Sequence, residues 1–358
     1  MELALYCPIY GYYEKEGDKI GRKGDFHTSV SVGSLFGELL AHQFAAWFKA
    51  WLASKNRSFG GTDCQPPGHS TTPWRLVEAG AHAGQLASDL LLWLRAHHRL
   101  LFEALEFWIL EPSNSRRWRQ ERTLAEFCGR VRWAKDFEVL SAALAATPEV
   151  FTVVLSNELL DAFPAHRFGW DADRQEWFEW GIGHDQEGFQ WSRLATSSTP
   201  PVVDSSLLKH LPDGFTVDVA PAAADWWAAA AELANPGKLV TFDYGLTRQE
   251  LFSPERFGGT LRGYRDHRVV TDVLNHPGDC DLTTHVDFTS LEAAGNNAGL
   301  VTEFFDTQEK FLTRLVADIL RADAGFGDWT TERTRRFQTL THPAHFGRSF
   351  RVLVQTRI

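Results

Sequence analysis

The chain of 358 residues has few cysteines and a single methionine. Its four cysteines, Cys7, Cys64, Cys128 and Cys280, lie far apart, and none belongs to a CxxC pair or a Cys/His cluster. This spacing indicates neither a disulfide framework nor a zinc site. We therefore expect a cytoplasmic protein in a reducing environment, without a bound metal.

Long apolar runs and an excess of positive charge are also missing. No stretch approaches the roughly 18 uninterrupted apolar residues of a membrane span, and the start MELALYCPIYGYY has no basic segment followed by an apolar core. Lys and Arg number 36 against 46 Asp and Glu, which gives a net charge of -10. The sequence thus predicts no membrane association and no nucleic-acid partner.

Aromatic residues, in contrast, are abundant, with 14 Trp and 26 Phe in a chain that is 44% hydrophobic. Residues 33–54 place Leu and aromatic side chains at helical spacing, and the segment 55–73 is rich in Gly, Ser, Thr and Pro, which is typical of a loop. The aromatic load must be packed in a core or used for binding, and a homodimer surface is one such use.

Alternating strands and helices follow from residue 74. Buried strands are predicted at WRLVEAG, EFWILEP, VRWAKD, FTVVLSNE and KLVTFDYG, with helices between them and an antiparallel hairpin at the end of the chain. This order predicts an α/β fold with a mostly parallel, doubly wound sheet. We predict a core at 74–164 and 236–358, an N-terminal element at 1–54 that packs on it, and an inserted antiparallel β meander with a helix at 165–235.

The turn in RLVEAGAHAGQL follows the first of these strands. Gly80 comes directly after the strand and Gly84 opens the next helix, so backbone N–H groups and the helix dipole are available there to a cofactor. Glu78, at the end of the strand, would bind the cofactor directly. His82 stands where such loops usually have a small residue, and the pattern also fits an ordinary tight turn.

The second and fourth of these strands also lead into acidic residues. Glu111 is placed to accept both hydroxyls of an adenosine ribose, or alternatively to cap the helix that begins after Pro112. The later strand ends in SNELLDAFP. Because the carboxyl ends of parallel strands meet at one edge of the sheet, Asn157, Glu158 and Asp161 are expected to face the same crevice as Gly80 and Glu111.

Two carboxylates in such a crevice hold a cation, orient a guanidinium or bind a metal. The plainer alternatives are Asn157 as a helix cap and Asp161 as a solvent-facing helix residue. Metal binding is an alternative for a second polar set, Asp281, His285 and Asp287. A DxxxHxD spacing in a predicted loop is weak evidence for a metal, so we predict no metal site.

Seven blocks of the sequence resemble the MidA family, whose mitochondrial member is a protein arginine methyltransferase and complex I assembly factor. The resemblance extends along almost the whole chain. The blocks are GYYEKEGDKIGRKGDFHTSVSVGSLFGELLA, VEAGAHAGQL, ILEPSNSRRWRQERTL, SNELLDAFPAHRF, VTFDYGLTRQELFSPERFGGTLRGYRDH, DLTTHVDFTSL and FGRSFRVLVQTR.

The resemblance implies a class I, Rossmann-like methyltransferase fold with S-adenosylmethionine as cofactor. It places Glu78, Gly80 and Gly84 on the cofactor loop and Glu111 on the ribose-binding acid. Asn157, Glu158 and Asp161 fall on the NE..DA.P motif beside the transferred methyl group. The family loop usually reads more like EIGPGRG, from which Ala81, His82 and Ala83 depart.

Two function classes follow from the resemblance. The first is a methyltransferase acting on a protein, with arginine as a candidate acceptor; the second is a noncatalytic assembly factor that keeps the fold and holds a partner. An NAD-linked oxidoreductase is disfavoured, because GxGxxG is absent and Glu111 lies further along the chain than the dinucleotide pattern requires.

Overall fold

The chain divides into two compact units. A computed structural model describes residues 1–15, 28–55, 72–147, 149–196, 198–266, 268–322 and 325–357. The first unit comprises Met1–His27, Leu160–Trp227 and Tyr244–Ala294, and the second Thr28–Leu159, Ala228–Asp243 and Gly295–Ile358. Cys64 and nearly all of the predicted loop at 55–73 lie outside the described residues.

The second unit is built on a mostly parallel sheet. With strands numbered along the whole chain, they are β1 (Trp74–Ala79), β2 (Leu105–Leu110), β3 (Val131–Ala134), β4 (Phe151–Asn157), β9 (Gly237–Leu246), β14 (Val301–Thr307) and β15 (Phe350–Arg357). Their order is β14-β15-β9-β4-β1-β2-β3. The pairs β1–β2, β1–β4, β2–β3 and β4–β9 are parallel, and β14 and β15 form an antiparallel pair at one edge.

Helices of this unit connect the strands. They are α2 (Leu35–Ser54), α3 (Gln85–His97), α4 (Arg99–Ala104), α5 (Asn114–Thr123), α6 (Phe137–Leu144), α11 (Gln308–Ala322) and α12 (Thr331–Thr341), with short helical turns at Val30–Val32, Ala125–Phe127 and Pro343–Gly347. The parallel pairing joined through helices confirms the predicted doubly wound α/β fold.

The composition of β1 and β4 suits their position at the centre of the sheet. Every residue of β1 is buried, as is every residue of β4 except Asn157 at its end. A strand covered on both faces has this continuous apolar pattern. Helix α2 contributes its aromatic face to the same core, where Phe48 stacks on Trp74 with ring centroids 5.3 Å apart.

The first unit contains two small sheets. A four-stranded antiparallel sheet has the order β7-β6-β5-β8, and a three-stranded one has the order β11-β10-β12. Their strands are β5 (His166–Asp171), β6 (Glu176–Asp185), β7 (Gly188–Leu194), β8 (Thr216–Val219), β10 (Arg262–Arg265), β11 (Arg268–Val270) and β12 (Asp281–Thr283). Strand β13 (Val286–Asp287) pairs with the end of β9.

The helices of the first unit are short. They are α1 (Glu2–Tyr6), α7 (Ser205–Leu208), α9 (Arg248–Leu251), α10 (Phe288–Asn297) and single turns at Leu160–Ala162 and Pro254–Arg256, while α8 (Pro221–Leu233) continues into the second unit. None of the helices formed by the described ranges is both long and apolar enough to cross a membrane.

The predicted meander is confirmed by the antiparallel pairs β5–β6 and β6–β7. The compact units do not follow the predicted boundaries, however. The meander shares its unit with 1–27 and 244–294, whereas α2, which was assigned to the N-terminal element, shares the core of the large sheet. The strands β10, β11 and β12 were not predicted, since they are three or four residues long and lie in a glycine-rich segment.

Candidate functional site

Three strand ends lie side by side in the second unit. Ala79, the last residue of β1, is paired with Leu110 of β2 on one side and with Ser156 of β4 on the other. The residues that follow these three positions are Gly80, Glu111 and Asn157. The pairing register therefore brings together the three groups that the sequence placed at one crevice.

The turn after β1 has an unusual backbone. Gly80, His82 and Gly84 all have positive φ, at 73°, 45° and 85°. A Cβ added at Gly80 would lie 2.8 Å from Cδ1 of Leu159, which shows how closely the segment after β4 approaches this turn. His82 adopts the left-handed conformation that most side chains avoid, so its presence has not prevented the turn from forming.

Glu78 is a buried carboxyl group with an atom that lacks a partner. The residue is only 4% exposed, and within the described ranges no donor reaches its Oε2. Burial, and to a lesser extent the nearby carboxylate of Asp89, raises the pKa of Glu78 to about 8. Burial likewise raises the pKa of Asp89 to about 6, against the opposing hydrogen bond from Gln85. Glu78 therefore keeps its proton at neutral pH in this state.

Glu111 is held in place by several donors. Its Oε1 accepts the backbone N–H of Ser113 and the Nε–H of Arg116, both at 2.9 Å, and its Oε2 accepts Nε2 of Gln120 at 3.0 Å. Glu111 thus supports the start of α5, as the capping alternative proposed. A carboxylate oxygen accepts two hydrogen bonds, so Oε2 keeps capacity for a hydroxyl donor.

Glu158 follows β4 with a φ of 50°, and its backbone N–H donates to the carbonyl of Phe242 at 2.9 Å. Its Oε1 accepts the backbone N–H of Ser29 and Nδ2 of Asn157, both at 3.1 Å. Oδ1 of Asn157 is buried and has no partner among the residues described. The carboxylate of Glu158 is consequently fixed by the fold, in a backbone conformation that costs energy.

Asp161 lies in the first unit, in the short helix Leu160–Ala162. It is 6% exposed, so it is not a solvent-facing residue, and its carbonyl accepts the N–H of Thr284 at 2.9 Å. The predicted set of Asn157, Glu158 and Asp161 is therefore divided between the two units.

The polar segment near residue 281 is also in the first unit. Asp281 accepts the hydroxyl of Tyr13 at 2.7 Å, and Asp287 pairs with Arg248 at 2.7 Å. Burial, together with the positive charges of Arg256 and Arg262, lowers the pKa of His285 to about 4. In the part of the chain that the structure describes, no group of three or more His, Cys, Asp and Glu side chains could hold a metal.

Three residues of the site escaped the sequence interpretation, namely Ser29, Gln120 and Asp243. Ser29 and Gln120 donate to the predicted acids, and Asp243 accepts the N–H of Leu159 at 3.2 Å. All three stand in the blocks that resemble the family, but no local pattern marks any of them. Gln120 is one polar residue among many on a helix whose sequence is NSRRWRQERT.

The acceptors at these strand ends fit S-adenosylmethionine. That cofactor carries an ammonium group and two ribose hydroxyls, all of which are hydrogen-bond donors. The buried Oε2 of Glu78 and Oδ1 of Asn157 lack donors among the described residues, and Oε2 of Glu111 can accept one more. Buried acceptors without partners are costly, so a ligand rich in donors suits them.

Comparison with known proteins agrees with this fit. A family model described as "Putative S-adenosyl-L-methionine-dependent methyltransferase" matches residues 39–305, well over half of the chain. A crystal structure from Burkholderia thailandensis, bound to S-adenosyl-homocysteine, aligns with a TM-score of 0.76 and 25% identity, over 99% of this chain and 86% of that one.

Curated relatives give the same result. The mitochondrial protein arginine methyltransferase NDUFAF7 of Danio rerio is 27% identical over 335 residues, which cover 89% of this chain and 72% of the relative. The Mus musculus protein of that name is 29% identical over 324 residues, 84% of this chain, and the chain spans just 66% of its length. The chain therefore belongs to this family of S-adenosyl-L-methionine-dependent methyltransferases, as the resemblance in its sequence predicted.

Proposed function

We propose that this methyltransferase acts on a protein and that the acceptor is an arginine side chain. The observation that carries the proposal is the carboxylate of Glu158, which Ser29 and Asn157 hold in place next to the glycine turn. An oriented carboxylate binds the planar guanidinium group through charge-assisted hydrogen bonds. The names of the two relatives, both protein arginine methyltransferases, support the same acceptor.

The roles of the residues follow from the chemistry of methyl transfer. S-adenosylmethionine supplies a methyl group on a sulfonium, and transfer is an in-line displacement that depends mainly on alignment and on exclusion of water. Glu158 would fix the guanidinium plane and favour the charge that develops on the attacking nitrogen. Oδ1 of Asn157 would accept an N–H of the acceptor or of the cofactor's amino group, and the catalytic role expected of Asp161 from the sequence stays a prediction.

Glu78, Gly80, Gly84 and Glu111 are the proposed cofactor-binding residues. Gly80 and Gly84 bring the backbone close to the cofactor, because neither carries a Cβ. Glu111 would accept the ribose hydroxyls, and Glu78 would accept a donor at its unpartnered Oε2.

Transfer of a labelled methyl group tests the proposal. Purified protein, S-[methyl-³H]adenosylmethionine and a protein extract are incubated, and the labelled proteins are hydrolysed to identify the modified amino acid. We expect labelled methylarginine with the wild type and at least tenfold less with Glu158→Gln. The matched control is Glu121→Gln, which changes an exposed acid of α5 and should label as the wild type does.

Calorimetric titration of the same variants distinguishes a loss of methyl transfer from a loss of cofactor binding. Glu158→Gln should keep its affinity for S-adenosylmethionine, because Glu158 is assigned to the acceptor. Label on another amino acid would refute arginine as the acceptor. A Glu158→Gln variant as active as the wild type would refute the role of the carboxylate.

A noncatalytic assembly factor is the second candidate function. Its support is a group of exposed apolar side chains on one face of the hairpin β6–β7, formed by Ile182, Phe189 and Trp191. Such a surface is typical of a protein-binding site. If the wild type binds S-adenosylmethionine but labels no protein in the extract, this candidate replaces the first.

Two further expectations stay predictions. A homodimer is one, and light scattering after gel filtration measures it. A cytoplasmic location is the other, whereas the relatives are named as mitochondrial proteins. Microscopy of the tagged protein in its own cell distinguishes these locations.

A further inference from the structure

Gln120, on α5, joins two parts of the predicted cofactor site to each other and to a neighbouring strand. Its Nε2 donates to the backbone carbonyl of His82 and to Oε2 of Glu111, both at 3.0 Å. Its Oε1 accepts the indole N–H of Trp133, on β3, at 2.9 Å. The residue is completely buried. One side chain therefore links the glycine turn after β1, the acid after β2 and the neighbouring strand β3.

The chemistry of these partners permits only one orientation of the amide. The indole N–H of Trp133 can only donate, so it requires the oxygen of Gln120. The carbonyl of His82 and the carboxylate of Glu111 can only accept, so they require the two hydrogens of the NH₂ group. A glutamine satisfies all three partners, and neither a glutamate nor an apolar residue of the same size does so.

The glycine turn has a specific need for this support. His82 has a φ of 45°, a left-handed conformation that is strained for a residue with a Cβ. A glycine would adopt it without this strain. The hydrogen bond from Gln120 to the carbonyl of His82 stabilises the turn at the residue where the sequence departs from the family loop.

The packing of α5 brings Gln120 to this position. A Cβ added at Gly84 would lie 3.4 Å from Cα of Gln120 and 3.3 Å from Cδ1 of Leu124. Gly84 thus allows α5 to approach the start of α3 closely. The amide of Gln120 then reaches both the turn and Glu111.

We propose that Gln120 is a positioning residue for S-adenosylmethionine, which holds the His82 turn and the carboxylate of Glu111 in the geometry that binds the cofactor. The inference rests on the proposed cofactor role of Glu111 and of the turn. It does not depend on which acceptor is methylated.

Calorimetric titration with S-adenosyl-homocysteine tests this role without turnover. Gln120→Met keeps the size of the side chain and removes its hydrogen bonds, so we expect affinity to fall on the order of tenfold. The affinity of Gln120→Glu should fall at least as far, because the new carboxylate would face two acceptors, the carbonyl of His82 and the carboxylate of Glu111. The control is Gln355→Met, which removes an equally buried glutamine from β15 and should bind within about twofold of the wild type.

A second substitution distinguishes positioning from general destabilisation. If Gln120 acts by holding His82 in its left-handed conformation, His82→Gly should restore part of the affinity that Gln120→Met loses. A purely structural loss would leave the double variant as weak as the single one. Trp133→Phe removes only the donor to Oε1 of Gln120, and a loss of about threefold or more is expected even if Gln120→Met fails to fold.

Glu111→Gln keeps failure of this inference distinct from failure of the site assignment. If Glu111→Gln weakens binding but Gln120→Met and Trp133→Phe bind as the wild type does, the role of Gln120 is refuted. If Glu111→Gln also binds normally, the cofactor site itself is assigned to the wrong residues, and the inference about Gln120 fails with it.

Discussion

Arg116 donates its Nε–H to Oε1 of Glu111 at 2.9 Å, and the two side chains are 13% and 2% exposed. Water is therefore largely excluded from this ion pair. Removing one partner of such a pair leaves the other charge buried with fewer donors. The arginine thus helps to hold the side chain of Glu111 in place after β2.

Replacing Arg116 by Met should lower the free energy of unfolding by about 1–3 kcal/mol. Urea denaturation of the protein without ligand measures this change. Arg99→Met is the control, because Arg99 pairs with Glu103 on the surface, where the side chains are 83% and 47% exposed. That variant should change stability by less than about 0.5 kcal/mol. Equal losses in the two variants would show that burial does not strengthen the Glu111 pair.

Gly80→Ala should reduce the stability of the fold more than the same change at another glycine with positive φ. Gly80 and Gly129 have φ of 73° and 80°, so an alanine would be strained at either position. Only at Gly80 does the new Cβ meet a neighbour, Cδ1 of Leu159 at 2.8 Å, whereas nothing lies within 4 Å at Gly129. Thermal unfolding should show Gly80→Ala to be at least about 1 kcal/mol less stable than Gly129→Ala. The reverse order would contradict the close approach of Leu159 to the turn.

Glu78 should make the protein without ligand less stable as pH rises. Below its ordinary pKa of 4.5 the carboxyl is protonated in both the folded and unfolded chain and has no effect. Between 4.5 and about 8 the unfolded chain releases the proton while the folded chain retains it, so unfolding becomes progressively easier. Above about 8 the penalty is complete.

Glu78→Gln removes this dependence. Urea denaturation at several pH values should show that the variant loses less stability than the wild type between about pH 6 and pH 8.5, on the scale of roughly 1.4 kcal/mol per pKa unit. Asp89, whose pKa is about 6, titrates mostly below this range and remains in both proteins. Parallel stability curves would mean that Glu78 is ionised in the folded protein at neutral pH.

Glu158→Gly should be more stable than Glu158→Ala. Glu158 has a φ of 50°, which glycine adopts readily and alanine does not. We expect a difference of about 1 kcal/mol in urea denaturation, although both variants lose the carboxylate and should lose methyl transfer. If Glu158→Ala were the more stable variant, the left-handed backbone at the end of β4 would be disproved.

The sequence predicted the sheet well because burial acts locally on strand composition. WRLVEAG and FTVVLSNE are short, mainly apolar segments bounded by turn or polar residues, and they form the central strands β1 and β4. The same pattern places Glu78, Glu111 and Asn157 at strand ends before any pairing is known. Short strands such as β10 and β12 have too few residues to show a period, so they were not found.

Local sequence patterns did not identify the hydrogen-bond partners of these residues. Ser29 donates to Glu158, which is 129 residues away in the chain, and Gln120 reaches His82 across 38 residues. Such contacts depend on how helices pack against the sheet. A polar residue that is completely buried, as Gln120 is, cannot be distinguished in sequence from the exposed polar residues beside it.

The sequence by itself determined the α/β order, the family and the polar residues near the ends of β1, β2 and β4, because hydrophobic periodicity and motif spacing are properties of contiguous residues. Only the tertiary structure decided that Glu78 has an acceptor without a donor, that Gln120 supports the His82 turn and that Asp161 belongs to a different unit from Glu158. Burial and hydrogen-bond satisfaction depend on contacts between segments that are distant in the sequence, and local sequence patterns do not specify those contacts.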